Sequence, residues 1–156
     1  MDLSKARELA LRLMRENGLL EKGWWFDFDR AKRRFGCCKY GKKQITLSAY
    51  LVSLNTEDQV RETTLHEIAH ALVGYKNGHN HVWKSKAKEL GCSGNRCYTS
   101  SSVAKPPAKY TLYCPNCGVS IQRHRKSHKI QACRMCCEKH NGGRFSFDFI
   151  LRWKEN

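Results

Sequence analysis

Two histidines and a glutamate stand at the spacing of a metal-dependent hydrolase, in the run His66-Glu67-Ile68-Ala69-His70. Residues four apart on a helix share one face, so both imidazoles reach a single Zn2+ while Glu67 projects beside them toward a water on the ion. Such a site polarises a peptide carbonyl, acidifies the water, and lets Glu67 take its proton and deliver it to the leaving amine. A catalytic zinc needs a third protein ligand and an open fourth position. The extended metzincin pattern is excluded, because Val73 and Lys76 stand where it requires Gly and His. Spacing leaves three candidates for the third ligand: His79 just past the expected helix end, His81 two residues on, and Glu89 on a following helix.

A second metal signal lies downstream, where Cys114-Pro115-Asn116-Cys117 and Cys133-Arg134-Met135-Cys136 form two Cys-x-x-Cys pairs separated by 15 residues. That spacing fits a four-thiolate zinc site. Gly118 after the first pair permits a tight knuckle; Cys137 follows the second pair and is the alternative to Cys136 in a shifted register. So small a ribbon has too little apolar mass to fold alone, which makes this zinc structural and separate from the catalytic one. Disulfides are the weaker reading, since the count of 9 cysteines is odd and their distribution is clustered. His124, His128 and His140 read as surface residues, and Cys37, Cys38, Cys92 and Cys97 as core or turn residues.

The elements that must position these groups follow from periodicity. Leu3, Ala6, Leu9, Ala10, Leu13 and Met14 mark an amphipathic helix closed by Asn17-Gly18. Trp24, Phe26 and Phe28 alternate with Trp25, Asp27 and Asp29 as in a half-buried strand. Further strands over 34–40 and 44–47, joined by a turn at Tyr40-Gly41-Lys42-Lys43, predict a short antiparallel sheet. Ser48 caps a short helix to Leu54. Thr56 and Gln59 have the capping-box spacing that opens the motif helix, expected to run to Lys76 with Leu65, Ile68, Leu72 and Tyr75 buried. Another helix follows over 81–90. The fold class is α+β.

Residues 94–109, rich in Ser, Thr and Lys and holding Pro106-Pro107, read as a linker, and the boundary falls between a core at 1–104 and a β-rich ribbon at 105–156. The chain carries 29 Lys plus Arg against 14 Asp plus Glu, a net charge of +15, so a polyanionic partner is expected. Charge is densest in residues 105–156, with 11 basic and 3 acidic side chains. There the loop bearing Arg123, Arg125, Lys126 and Lys129 forms a basic finger suited to phosphates of single- or double-stranded DNA. A second basic run, Arg30, Lys32, Arg33 and Arg34, could extend that surface. Alternation of Phe145, Phe147 and Phe149 suggests ribbon core rather than a base-stacking platform. No segment is apolar enough to span a bilayer, and the charged residues 1–8 lack the apolar core of a secretory signal. An intracellular, monomeric protein without membrane contact is expected.

The motif helix, then Gly78-His79-Asn80-His81-Val82-Trp83-Lys84 and Leu90-Gly91, resembles the SprT-like metalloprotease family, which includes the eukaryotic protease Spartan. Phe35-Gly36-Cys37-Cys38-Lys39-Tyr40 and Ile45-Thr46-Leu47-Ser48 resemble that family's sheet. The resemblance implies a small zincin core followed by a zinc ribbon. It aligns His79 with the family's third ligand and Trp83 with its aromatic, while Asn80 departs from the family's Gly. It implies a zinc endopeptidase acting on proteins bound or crosslinked to DNA. Separately, the aromatics Trp24 and Trp25 are expected to border a cleft where a substrate segment pairs with an edge strand. The alternative is a nucleic-acid-binding adaptor that keeps the core as a scaffold, although a pure scaffold has no physical need for Glu67. A zinc nuclease fits poorly with a histidine-rich mononuclear site. Tyr75, His81 and Tyr98 are unranked candidates for oxyanion stabilisation.

Overall fold

The computed structural model describes residues 1–95 and 103–156; Cys97 and Tyr98 lie outside the described residues. The chain divides into two compact units, Met1–Pro106 and Pro107–Asn156. Among the described residues, five α-helices and two three-stranded sheets make it α+β. No helix among the described residues is long and apolar enough to cross a membrane.

The first unit opens with α1 (Leu3–Glu16), whose N-cap Asp2 accepts the Ser4 and Lys5 N–H groups. Its apolar stripe of Ala6, Leu9, Ala10, Leu13 and Met14 is buried. Each such Leu or Met contributes about 1.5–3 kcal/mol by leaving water. Strands β1 (Trp25–Asp29), β2 (Gly36–Lys39) and β3 (Gln44–Ser48) follow, with a short 3-10 turn at Tyr40–Lys42 closing the β2–β3 hairpin.

The sheet corrects the antiparallel expectation. Its order is β1-β3-β2, with β2 antiparallel to β3 but β1 parallel to it, Trp25 opposite Gln44 and Asp29 opposite Ser48. Alternation fixes which face a side chain takes but not which strand is its neighbour. The chain passes β3's position before β3 is made, and the central strand then enters between the other two. All five β3 residues are buried, so its polar side chains need partners. Thr46 donates to Asp29 Oδ2 at 2.7 Å, and the Ser48 hydroxyl donates to the Ala31 carbonyl. The end of β1 and the loop after it thus satisfy these two β3 side chains.

Ser48 also caps α2 (Ala49–Leu54), accepting the Leu51 N–H. Helix α3 (Glu57–Val73) begins with the complete Thr56/Gln59 capping box and carries Glu57 and Asp58 in its first turn, where the helix dipole favours them. It stops earlier than expected: Gly74, at φ +81°, caps it, and a 3-10 turn at Tyr75–Asn77 leaves Tyr75 69% exposed rather than buried. Gly78, at φ +48°, then turns the chain back into α4 (His81–Glu89). Asn80 is extended, at φ −71°, and its side chain caps α4 by accepting the Val82 and Trp83 N–H groups.

The second unit has β4 (Tyr110–Tyr113) between β5 (Ser120–Arg123) and β6 (Arg152–Glu155), all antiparallel. Between β5 and β6 lies a helix absent from the sequence reading, α5 (Arg134–Asn141), N-capped by Cys133 and stopped by Gly142 at φ +56°. The expected alternation of Phe145, Phe147 and Phe149 is also corrected. Phe147–Phe149 form a 3-10 turn, Phe145 and Phe147 are 52% and 72% exposed, and of the three Phe149 packs against the cysteine cluster. Both Gly142 and Gly143 have positive φ, which breaks the strand period ahead of the aromatics.

Candidate metal centre

Helix α3 places His66 and His70 one turn apart, and the Gly78 turn returns His79 to the same point. The three Nε2 atoms face one another at 3.2 Å (His66–His70), 3.0 Å (His70–His79) and 3.1 Å (His66–His79). Of the three third-ligand candidates, His79 joins this cluster, Glu89 pairs with Lys86 at 2.7 Å, and His81 is exposed at the start of α4. Trp83, 1% exposed, closes the floor: its ring stacks on His70 at 5.1 Å and meets His66 and His79 edgewise at 4.6 Å.

The donor set fits zinc. Three nitrogens about 2.0–2.1 Å from a tetrahedral Zn2+ lie about 3.3 Å apart, close to the triangle here. Burial first, then the charges of His70 and His79, push His66 down to about 4, and burial with His79 does the same to His70. Both imidazoles are therefore neutral near pH 7, the form a metal takes. His66 also bonds to the backbone of Asn95. Because its Nε2 faces the other two rings, the bond to the Asn95 carbonyl runs from Nδ1–H, which leaves the Nε2 lone pair pointing into the triangle.

Glu67 is buried in the wall of a cavity of about 490 Å³ that also includes His66, His70, His79, Gly36, Cys37, Cys38 and Tyr40. Desolvation pushes its carboxyl up to about 7, against the opposing pull of the Cys38 N–H and the charge of Arg34. A carboxyl poised there exchanges protons readily at neutral pH. Cys38 and Tyr40, pushed up to about 12 chiefly by burial, stay protonated.

Several cavity residues escaped the sequence reading. Cys37 and Cys38 are half-buried cavity wall on β2, not core. Gly36 allows β2 to approach α3, and its position inside a strand was the available signal, since such a glycine marks close backbone approach. The cavity is bordered by β2, whereas Trp24 packs edgewise on Tyr40 and Trp25 is exposed on β1, neither lining it. Tyr75 is likewise outside the lining, with its ring 6.1 Å from that of Tyr40.

In the second unit the thiols of Cys114, Cys117, Cys133 and Cys136 converge within 4.8 Å. Cys114 and Cys136 are 3.8 Å apart and Cys117 and Cys133 3.6 Å, against about 3.8 Å for sulfurs 2.3 Å from a tetrahedral zinc. Gly118, at φ +73°, sends its N–H back to the Cys114 carbonyl. Burial raises the Cys114 thiol, but the Cys117 and Asn116 N–H groups outweigh it and bring the thiol to about 7. Cys137 is buried on α5 but outside the cluster; His124, His128 and His140 are also outside it, His128 and His140 exposed and His124 half-buried. Cys92, in the first unit, is buried against Glu62. Arg125, Lys126 and Lys129 are exposed beyond β5, with Lys126 Nζ 4.9 Å from the Tyr110 ring, while Arg123 is half-buried on the strand.

An α+β core with three imidazoles gathered by one helix and the turn after it, followed by four convergent cysteines compatible with a zinc ribbon, offers two candidate sites for zinc. The chain belongs to the SprT-like family, whose model matches residues 8–103. It is similar to Protein SprT of Glaesserella parasuis serovar 5 (strain SH0165), with 31% identity over 116 residues, covering 68% of this chain and 74% of that one.

Proposed function

We propose that this protein is a zinc-dependent endopeptidase that cleaves proteins bound or crosslinked to DNA, with the basic ribbon as its DNA-binding element. What carries the reading is Glu67, an acid held in a cavity wall beside three convergent imidazoles, where a scaffold would have no use for it.

His66, His70 and His79 would hold the ion and leave one face open to the cavity. Zinc, when bound, supplies Lewis acidity that polarises a carbonyl and acidifies a water. Glu67 accepts the proton of the attacking water and passes it to the departing amine, and the Cys38 N–H keeps the carboxylate oriented between the two events. Trp83 shields the rear of the imidazoles from water. Membership of the SprT-like family and a net charge of +15 support the choice of substrate class.

The test is cleavage of a DNA-binding protein by zinc-loaded wild type and Glu67→Gln, with and without single- and double-stranded DNA, on a gel that also reveals self-cleavage. Fragments that require both Glu67 and DNA are expected. Retained DNA binding with no fragments under any condition would favour the adaptor reading instead.

A further inference from the structure

We propose that Glu62 is a positioning residue for the histidine centre, holding the turn after α4 so that the Asn95 carbonyl fixes the ring of His66. The inference rests on reading the three histidines as a metal centre. Glu62 lies one turn before His66 on α3, and its Oε1 accepts the Ser93 N–H at 2.8 Å and the Cys92 thiol at 3.3 Å. The Ser93 hydroxyl also bonds to this carboxylate. Ser93 Oγ in turn accepts the Asn95 N–H at 3.2 Å.

The same turn is pinned to α4 from its other side. The Cys92 N–H bonds to the Ala87 carbonyl at 2.9 Å, and Gly94, at φ +72°, passes so near α4 that a β-carbon there would lie 3.3 Å from Lys84 Cγ. Residues 92–95 are thus tied to α4 on one side and to Glu62 on the other, with the Asn95 backbone bonded to His66.

An imidazole can flip about its Cβ–Cγ bond and exchange its two nitrogens. A fixed acceptor at Nδ1 selects the tautomer whose Nε2 lone pair points toward His70 and His79. Without the carboxylate, the Ser93 N–H loses its partner and the turn its anchor on α3. His66 then samples both orientations, of which one suits an ion. A purely structural tether would change stability but leave the tautomer alone.

The experiment follows the imidazole nitrogens of the full chain by NMR during a zinc titration, in wild type, Glu62→Ala and Glu62→Gln. Wild-type His66 should carry a single Nδ1–H tautomer. Glu62→Ala should give mixed tautomers and a loss of about 10–100-fold in zinc affinity at the histidine signals. Glu62→Gln, which keeps an acceptor for Ser93, should stay within a few-fold of wild type. Wild-type tautomer and affinity in Glu62→Ala would overturn the proposal, as would a loss in Glu62→Gln equal to that in Glu62→Ala. Should Glu62→Ala fail to fold, Glu62→Asp keeps the charge but withdraws the acceptor by one methylene, and unchanged affinity there overturns the proposal too. Wild-type histidine signals that ignore zinc would instead overturn the metal-centre reading itself.

Discussion

Gly36 lies directly against Glu67. A β-carbon built on Gly36 would stand 2.7 Å from Glu67 Oε1, 2.8 Å from its Cγ and 2.9 Å from Thr63 Cγ2, closer than real β-carbons come. The missing side chain is the space that the carboxylate occupies. It also lets β2 run near enough for the Cys38 N–H to reach Glu67.

Gly36→Ala should therefore displace Glu67 or push β2 away from α3. Overpacking of this kind costs about 1–3 kcal/mol. Cleavage should fall by at least as much as in a variant of equal stability loss remote from the cavity, while zinc content stays at the wild-type level. Urea unfolding, zinc analysis and the cleavage assay measure the three quantities. Unchanged activity at unchanged stability would show that Glu67 has more room than its contacts allow.

Trp83 packs all three imidazoles with its ring. Trp83→Ala should cost about 3–5 kcal/mol through cavity formation and also loosen the centre. Trp83→Phe should recover much of the stability yet release zinc faster than wild type, because the smaller ring cannot reach all three. Calorimetry paired with chelator-driven zinc release separates packing from metal retention, and equal release rates in Trp83→Phe and wild type would refute the second claim.

Much of this was legible because chemistry and periodicity agree locally. The Thr56/Gln59 box sets where α3 starts, and the spacing of His66 and His70 then decides that they share a face. The cysteine pairs were legible for the same reason. What alternation could not supply was the neighbour of β1, since that pairing also depends on long-range bonds, from Thr46 to Asp29 at the end of β1 and from Ser48 to Ala31 in the loop after it. Nor could spacing alone choose among His79, His81 and Glu89; that depends on a backbone turn at Gly74 and Gly78. The helix carrying Cys136 was hidden because a short element bound through thiolates needs little apolar period to persist.

Removing zinc should act differently on the two units. Cys114→Ser should lose one zinc per chain and unfold residues 107–156, since binding energy in so small a unit is folding energy. The first unit, with its own apolar core, should keep its helices. His79→Ala should also lose one zinc, yet leave both units folded. Zinc stoichiometry with residue-resolved NMR distinguishes these outcomes, and a folded ribbon in Cys114→Ser would contradict the account.

Asp29 links acid stability to the crossing loop. Burial raises its carboxyl, but the Ala31 N–H, the Thr46 hydroxyl and Arg34 outweigh burial and hold it below the usual 3.8. A carboxyl depressed in the folded state stabilises the fold above its unfolded pKa, and that contribution disappears as pH falls through the folded value. Wild type should therefore exceed Asp29→Asn in stability at pH 7, and the gap should close below about pH 4. Urea midpoints of the first unit across that range test this; a constant gap would mean that Asp29 acts by shape alone.

The basic finger gives the proposed DNA contact a quantitative signature. Arg125 and Lys126 are exposed, and Lys126 sits over the Tyr110 ring, where a phosphate can approach it from the free side. If each contacts one phosphate, each releases counterions on binding, so affinity falls with salt along a slope proportional to the number of contacts. Replacing both with Ala should reduce the magnitude of that slope by about 1.8 on duplex DNA and about 1.4 on a single strand. The loss should be similar for all sequences, because phosphates carry no base identity. Zinc content should not change, since neither residue touches the cysteine cluster. Binding isotherms at several salt concentrations supply the slope. A slope equal to wild type would place the DNA contact elsewhere on the chain, and the run Arg30, Lys32 and Arg33 in the first unit would be the next surface to neutralise.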